Sequence, residues 1–303
     1  MKLRRRFFES FIYIFMIITL VINMPTSIST WDNHPESEDI NVNQSLGSKI
    51  EQQNSETNKN NEPGKSTPTR YDKQKMDNFR SLFSSGKVTI LMYHNITDGK
   101  EDYMSVHKDK FREQMKFIKD NGYNVISLDD LYAYYTEGTP IDDKSIIITF
   151  DDGYWNNYMN AYPVLKEFGF KATLFMITSM IDQKLYLNKD RLREMDANGV
   201  SIQSHTVSHL ELNKMSYDQQ FYELSESKKI LEDILGKEIK YISFPYGQFN
   251  KDTIMITRKL NYNLAMGTVP AKAIRRNGLY NLNRIAVFGN TNIKQFEELL
   301  NKK

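Results

Sequence analysis

Apolar positions recur along the chain in two rhythms. Short unbroken runs, rich in β-branched and aromatic residues, predict buried strands: "VTILMY" from Val88, "SIIITF" from Ser145, "KATLFMI" from Lys171, "VSIQSH" from Val200 and the segment "IKYISFPYG" from Ile239. Between them, apolar residues return every three or four positions and predict helices. Examples are "DKFREQMKFIKDNGY", with Phe111, Met115, Phe117 and Ile118 closed by Asn121-Gly122, and "YMNAYPVLKEFGF", ending at Gly169. "NVISLDDLYAYYTEG" gives a strand and then a helix that Asp129 could cap. Further helices are expected over "NKDRLREMDANG", Ser216 to Leu235, "TIMITRKLNY" and "NIKQFEELLNKK", with extended segments at "NLAMGT" and "LNRIAV". The strands are too apolar to have one wet face. The alternation therefore predicts an α/β fold with parallel strands, and chemistry at their carboxyl ends.

The first eighty residues follow another pattern. "MKLRRRFFES" is a basic flank, and "FIYIFMIITLVINM" (Phe11 to Met24) is an uncharged, mostly apolar run stopped by Pro25. Residues 1–29 are expected to be a signal peptide or a membrane anchor. Residues 30–79 are dominated by Asn, Gln, Ser, Thr, Glu and Lys, with almost no periodicity, as expected of a flexible polar linker. Residues 80–303 remain as the folded domain. From this order the domain is expected outside the cell or on the outer face of its membrane, near the cell envelope.

The absence of cysteine removes disulfides, thiolate metal sites and a cysteine nucleophile. Net charge is only +2, and the basic N-terminus carries much of it, so electrostatic nucleic-acid binding is not expected.

Candidate chemistry gathers at three strand ends. "IIITFDDG" closes a strand with Asp151 and Asp152, "ILMYH" closes one with His94, and "SIQSHTVSH" closes one with His205, four residues before His209. Asp-Gly alone is equally a turn signal, and a lone strand-end histidine is more often a satisfied polar residue. Two imidazoles four apart can converge on one metal with one carboxylate, leaving positions open for water and substrate. The second carboxylate is then free to take a proton. Leu174, Phe175 and Met176 read as core, and His107 as a surface residue at a helix entry.

"TFDDG" (Thr149 to Gly153), "HTVSH" (His205 to His209) and "FPYG" (Phe244 to Gly247) resemble the first three motifs of the polysaccharide deacetylases, the NodB-homology or carbohydrate esterase family 4 domain. The resemblance implies a distorted (β/α)7 barrel. It implies Asp151 as general base, and Asp152, His205 and His209 as ligands of a divalent metal, with zinc first and cobalt or nickel as alternatives. It also implies Tyr246 as the backbone oxyanion donor, with Pro245 and Gly247 shaping that loop. Two helpers are missing from their usual places: Ser243 stands where many members have an arginine that steadies the base, and Arg284 where many have an acidic histidine. "LMYHNI" is similar to the branch that deacetylates exported poly-β-1,6-N-acetylglucosamine, in which an early histidine, here His94, would be the acid. The implied activity is removal of N-acetyl groups from an N-acetylglucosamine polysaccharide. Peptidoglycan as substrate, O-acetyl esterase activity, and a carbohydrate-binding domain that has lost catalysis are the alternatives.

Overall fold

The computed structural model describes residues 86–301. The expected export segment (1–29) and linker (30–79) lie outside these residues. Among the described residues, no helix is long and apolar enough to cross a membrane.

Strand β1 (Lys87–Tyr93) is followed by a small parallel pair, β2 (Asn95–Thr97) and β3 (Ser105–His107), before helix α1 (Lys108–Asp120). His107 caps α1, its Nδ1 accepting from the Asp109 N–H at 3.3 Å, which bears out the helix-entry reading. After β4 (Asn124–Val125) comes α2 (Leu128–Thr136). The cap of α2 is Ser127 and not Asp129: Ser127 is extended and forms a reciprocal capping box with Asp130. Asp129 is two residues too far along, and instead accepts from the Tyr241 hydroxyl.

Strand β5 (Ser145–Phe150) leads through a π-helical segment (Asn157–Ala161) into α3 (Tyr162–Phe168). The remaining units are β6 (Ala172–Met176), α4 (Lys189–Ala197), β7 (Val200–Ser204), α5 (Tyr217–Leu235), β8 (Tyr241–Ser243), α6 (Lys251–Lys259), β9 (Leu264–Met266), β10 (Ala273–Ile274), β11 (Ile285–Ala286) and α7 (Ile293–Asn301).

Strands β1, β5, β6, β7, β8 and β9 pair in parallel in that order. The final extended segment bridges the gap: Leu282 pairs with Met266, and Ile285–Ala286 pair with Leu91–Met92 of β1. The α/β fold is therefore a curled, barrel-like sheet of seven parallel positions, with β10 antiparallel on the open side of β1.

The period-two alternation of strands sorts the core into two layers. Leu91, Tyr93, Ile146, Ile148 and Phe150 face the surrounding helices. Ile90, Ile147, Phe175, Leu264, Met266 and Leu282 point inward, where α2 contributes Leu128, Leu131 and Tyr135. Above this plug, the inward positions turn polar: Thr149, Ser243 and Arg284, all fully buried.

Candidate metal-dependent active site

Asp151, Asp152, His94, His205 and His209 line one groove of about 980 Å³ at the carboxyl ends of the strands. One ligand atom each from Asp152, His205 and His209 lies within 4.8 Å of the others. Both imidazole Nε2 atoms are 3.5 Å from Asp152 Oδ1. That oxygen is buried without a hydrogen-bond partner, which is costly unless something positive sits on it. His205 Nδ1 is 2.8 Å from the Ser243 carbonyl oxygen. A carbonyl only accepts, so Nδ1 carries a hydrogen, and Nε2, on the Asp152 side, is the nitrogen left to bind a metal once it gives up its own proton. The three residues therefore suit a divalent metal.

The backbone around them is strained. Of six non-glycine residues with positive φ among the described residues, four belong here: Asp152 (72°), Thr206 (64°), His209 (54°) and Tyr246 (58°). Such conformations persist where the surroundings impose them, and they cluster at functional sites. Gly153 (φ 84°) follows the aspartates because a Cβ there would come within 2.0 Å of Met176 Sδ.

Asp151 is held from an unexpected direction. Arg284, 0% exposed, forms a bidentate ion pair with it at 2.8 and 2.6 Å. The same guanidinium donates to Thr149 Oγ1 (3.1 Å), Ser243 Oγ (2.8 Å) and the Gly267 carbonyl (3.0 Å), and lies over the Phe175 ring. Ser243 Oγ in turn donates to Asp151 Oδ2 at 3.3 Å. Ser243 and Arg284 are therefore not two lost helpers. The small serine leaves space beneath Asp151, and the arginine of the last extended segment fills it. Burial alone would raise the Asp151 pKa, but Arg284 and then His205 outweigh it and hold the carboxyl far below its usual value.

The other titrations follow from the same charges. Burial opposes protonation of His205, but the Asp151 and Asp152 carboxylates prevail and raise its pKa. His209 is lowered to about 4, by burial and by His205. His94 is also lowered, chiefly by burial and against the pull of both aspartates.

Several supporting residues carried no signal of their own in the sequence. Glu223 of α5, buried, accepts from the Val207 and Ser208 N–H groups at 2.9 and 2.8 Å, inside the turn between the two histidines. One turn later, Ser227 bonds Ser204 at 2.8 Å. Asn157 donates to the His94 carbonyl (2.8 Å) and accepts from the Ile96 N–H (3.2 Å). Tyr154 stacks on Tyr186 and interacts with the Asp152 carboxylate. Tyr154 and Asn157 sit in the "GYWNN" that follows the aspartates, the only hint available. In the third motif, Pro245 is buried, and Tyr246 is 58% exposed with its ring 4.7 Å from that of His209.

The polysaccharide deacetylase family model matches residues 138–265, which contain both aspartates, both histidines and the "FPYG" loop. YxkH of Bacillus subtilis (strain 168), whose name assigns it provisionally to polysaccharide deacetylation, is 40% identical over 66% of this chain and 71% of its own length. The chain belongs to the polysaccharide deacetylase family. This deacetylase is also 29% identical to the poly-β-1,6-N-acetyl-D-glucosamine N-deacetylase of Staphylococcus aureus, over 63% of this chain and 67% of that one. Among solved structures, the Streptococcus pyogenes deacetylase PplD in complex with acetate superposes with a TM-score of 0.68. It is 32% identical, and the match covers 71% of this chain and 98% of that chain. The NodB-type fold is thus borne out, and with it the assignment as a hydrolase.

Proposed function

We propose that this deacetylase removes N-acetyl groups from a neutral N-acetylglucosamine polymer outside the cell, and that the polymer is poly-β-1,6-N-acetylglucosamine. The observation that carries the reading is the meeting of His94, Asp151 and the Asp152–His205–His209 trio in one groove. The groove's lining supports the choice of polymer. Among the described residues that line it, none is lysine or arginine, so nothing there would pair with the carboxylates of peptidoglycan stems. The relationship to the Staphylococcus aureus enzyme agrees with this choice. A basic, apolar N-terminus before a polar linker supports an exported or anchored enzyme at the cell envelope.

Asp152, His205 and His209 would hold the divalent ion, zinc first among ions that accept two imidazoles and a carboxylate. When bound, it would supply Lewis acidity toward the attacking water and the acetyl carbonyl. Asp151, kept ionised by Arg284, takes the proton from that water. The Tyr246 N–H, on the loop shaped by Pro245 and Gly247, donates to the oxygen where negative charge develops. His94 gives a proton to the departing glucosaminyl nitrogen as the carbon–nitrogen bond breaks. Burial makes it a stronger acid than a free imidazole. Acetate and a free amine result.

The test is to incubate the full chain with poly-β-1,6-N-acetylglucosamine and with peptidoglycan, measuring amine and acetate together. Equal release of both from the first polymer is expected. Release from peptidoglycan alone would reassign the substrate, and acetate without amine would mean an esterase. Polymer binding without release under any divalent ion would mean a binding domain.

A further inference from the structure

Where β5 ends, its pairing with β1 is carried on by side chains. The Asp151 N–H still donates to the Tyr93 carbonyl, at 2.9 Å. Beyond that bond Asn157 takes over. Its Nδ2 donates to the His94 carbonyl (2.8 Å), and its Oδ1 accepts from the Ile96 N–H (3.2 Å). One of these partners can only accept and the other only donate, so the orientation of the carboxamide is fixed. Asn160 Nδ2 then donates to the Ile96 carbonyl at 2.7 Å. Strand β2 is also paired with β3, Asn95 beside Ser105. The chain that leaves His94 is therefore held by β3 and by two asparagines.

Asn157 is 1% exposed and Ile96 0%, so bulk water cannot replace these bonds. Asn157 also opens the π-helical segment, the Tyr162 N–H reaching back to its carbonyl. Such turns are rare and frequently mark functional sites. Here the turn follows the aspartates in sequence, and its first side chain lands on the backbone of a histidine 63 residues away. Among the described residues, none hydrogen-bonds the His94 imidazole, whose surroundings act on it through burial and charge. The ring is therefore aimed by its backbone, and Asn157 ties that backbone to the segment that carries Asp151 and Asp152.

We propose that Asn157 is a positioning residue for the proton donor: through the π-wound turn it fixes where the His94 imidazole stands relative to the two aspartates. Asn157 does not itself line the groove, so it acts through His94. This inference rests on the deacetylase reading above, in which His94 protonates the departing nitrogen, and adds what keeps that imidazole within reach.

The experiment uses Asn157→Leu, which nearly keeps the shape and removes both hydrogen bonds. On a β-1,6-linked N-acetylglucosamine oligomer it should lower kcat roughly 10²-fold, the scale for a small misplacement of a reacting group, with KM and metal affinity unchanged. On an activated aryl acetate, whose leaving group needs no proton, the loss should be much smaller. Added to His94→Ala, Asn157→Leu should cost the oligomer reaction nothing further, because the group it positions is already gone. Asn157→Ala should give the same pattern, and it decides the matter if the leucine variant does not fold. Equal losses on both substrates, weaker metal binding, or losses that multiply in the double variant would make Asn157 a mere support of the aspartate loop and overturn the proposal. Parental kcat on the oligomer would overturn it too. Imidazole NMR of the zinc-loaded full chain, which has five histidines, separates this from the reaction itself. In the Asn157 variants, movement of the His94 ring signals, with those of His205 and His209 unmoved, would uphold the positioning role even if the parent released no amine. That failure would count only against the deacetylase reading. Unmoved His94 signals would overturn the role whatever the turnover.

Discussion

Asp151 and Arg284 show how much one buried pair decides. All five guanidinium hydrogen bonds end on buried acceptors, so removing the side chain strands a carboxylate away from water. Arg284→Ala should cost roughly 3–5 kcal/mol in denaturant unfolding, the scale for breaking a buried ion pair. It should also let the Asp151 pKa rise, moving the acid limb of kcat/KM to higher pH. Arg284→Lys cannot reproduce the fork and should rescue little. Parental stability and an unshifted limb would remove Arg284 from the account. In the sequence, Ser243 and Arg284 read as two separate losses, because motif positions say nothing about what reaches across a barrel. The aspartates, His94 and His205 are legible because they stand where apolar runs stop, and His209 because it lies four residues after His205. His94 carries its own test. His94→Ala should keep the metal and lose roughly 10²–10⁴ in kcat on the polymer. The loss should be smaller on an activated aryl acetate, whose leaving group needs no proton. An equal loss on both would make His94 a positioning group.

At the scale of elements, α5 serves the metal site without touching it. Glu223 and Ser227, one turn apart on its buried face, hold Ser204 and the Val207–Ser208 backbone, on either side of the strained Thr206 and just before the strained His209. Two backbone N–H groups on one carboxylate oxygen fix where the second imidazole points. Groups of this kind typically contribute 10–100-fold in metal affinity. Glu223→Ala is expected to weaken affinity by roughly that factor in chelator competition. Glu223→Gln, which keeps an acceptor oxygen, should fall between. If both bound metal like the parent, the helix would be only a packing partner of β7. Helix ends were readable where a side chain has a local partner, as with Ser216, whose capping box with Gln219 opens α5. Asp129 was misread as a cap since two acidic residues follow Ser127, and only the backbone shows which position is extended. Glu223 was invisible for a related reason: a glutamate in an amphipathic helix reads as a solvated face until the neighbouring turn is seen folding over it.

Across the whole molecule, the metal site is a tie between separate parts of the sheet. Asp152 follows β5 and His205 follows β7, with β6 between them, so an ion on both staples three adjacent staves. An ion that binds only the folded chain raises stability by mass action, about 4 kcal/mol at a thousandfold excess over Kd. Stripping the metal should therefore lower Tm, and Asp152→Ala should show no difference between loaded and stripped protein. The pH dependence has a definite sign. Without metal, the two carboxylates raise the His205 pKa, so that contribution to stability is complete below the unfolded value and fades as pH rises through the folded one. Metal must displace that proton, so affinity is full above the raised pKa and falls as pH drops below it, by about tenfold per unit for a single proton. His209, held near pH 4, is already neutral in this window and adds no second proton. The Tm gain on adding metal should thus be larger at pH 8 than at pH 5.5, and calorimetry in two buffers near pH 6 should count about one proton released per ion. A gain independent of pH, or two protons released, would mean that the carboxylates do not hold His205 protonated in the metal-free barrel.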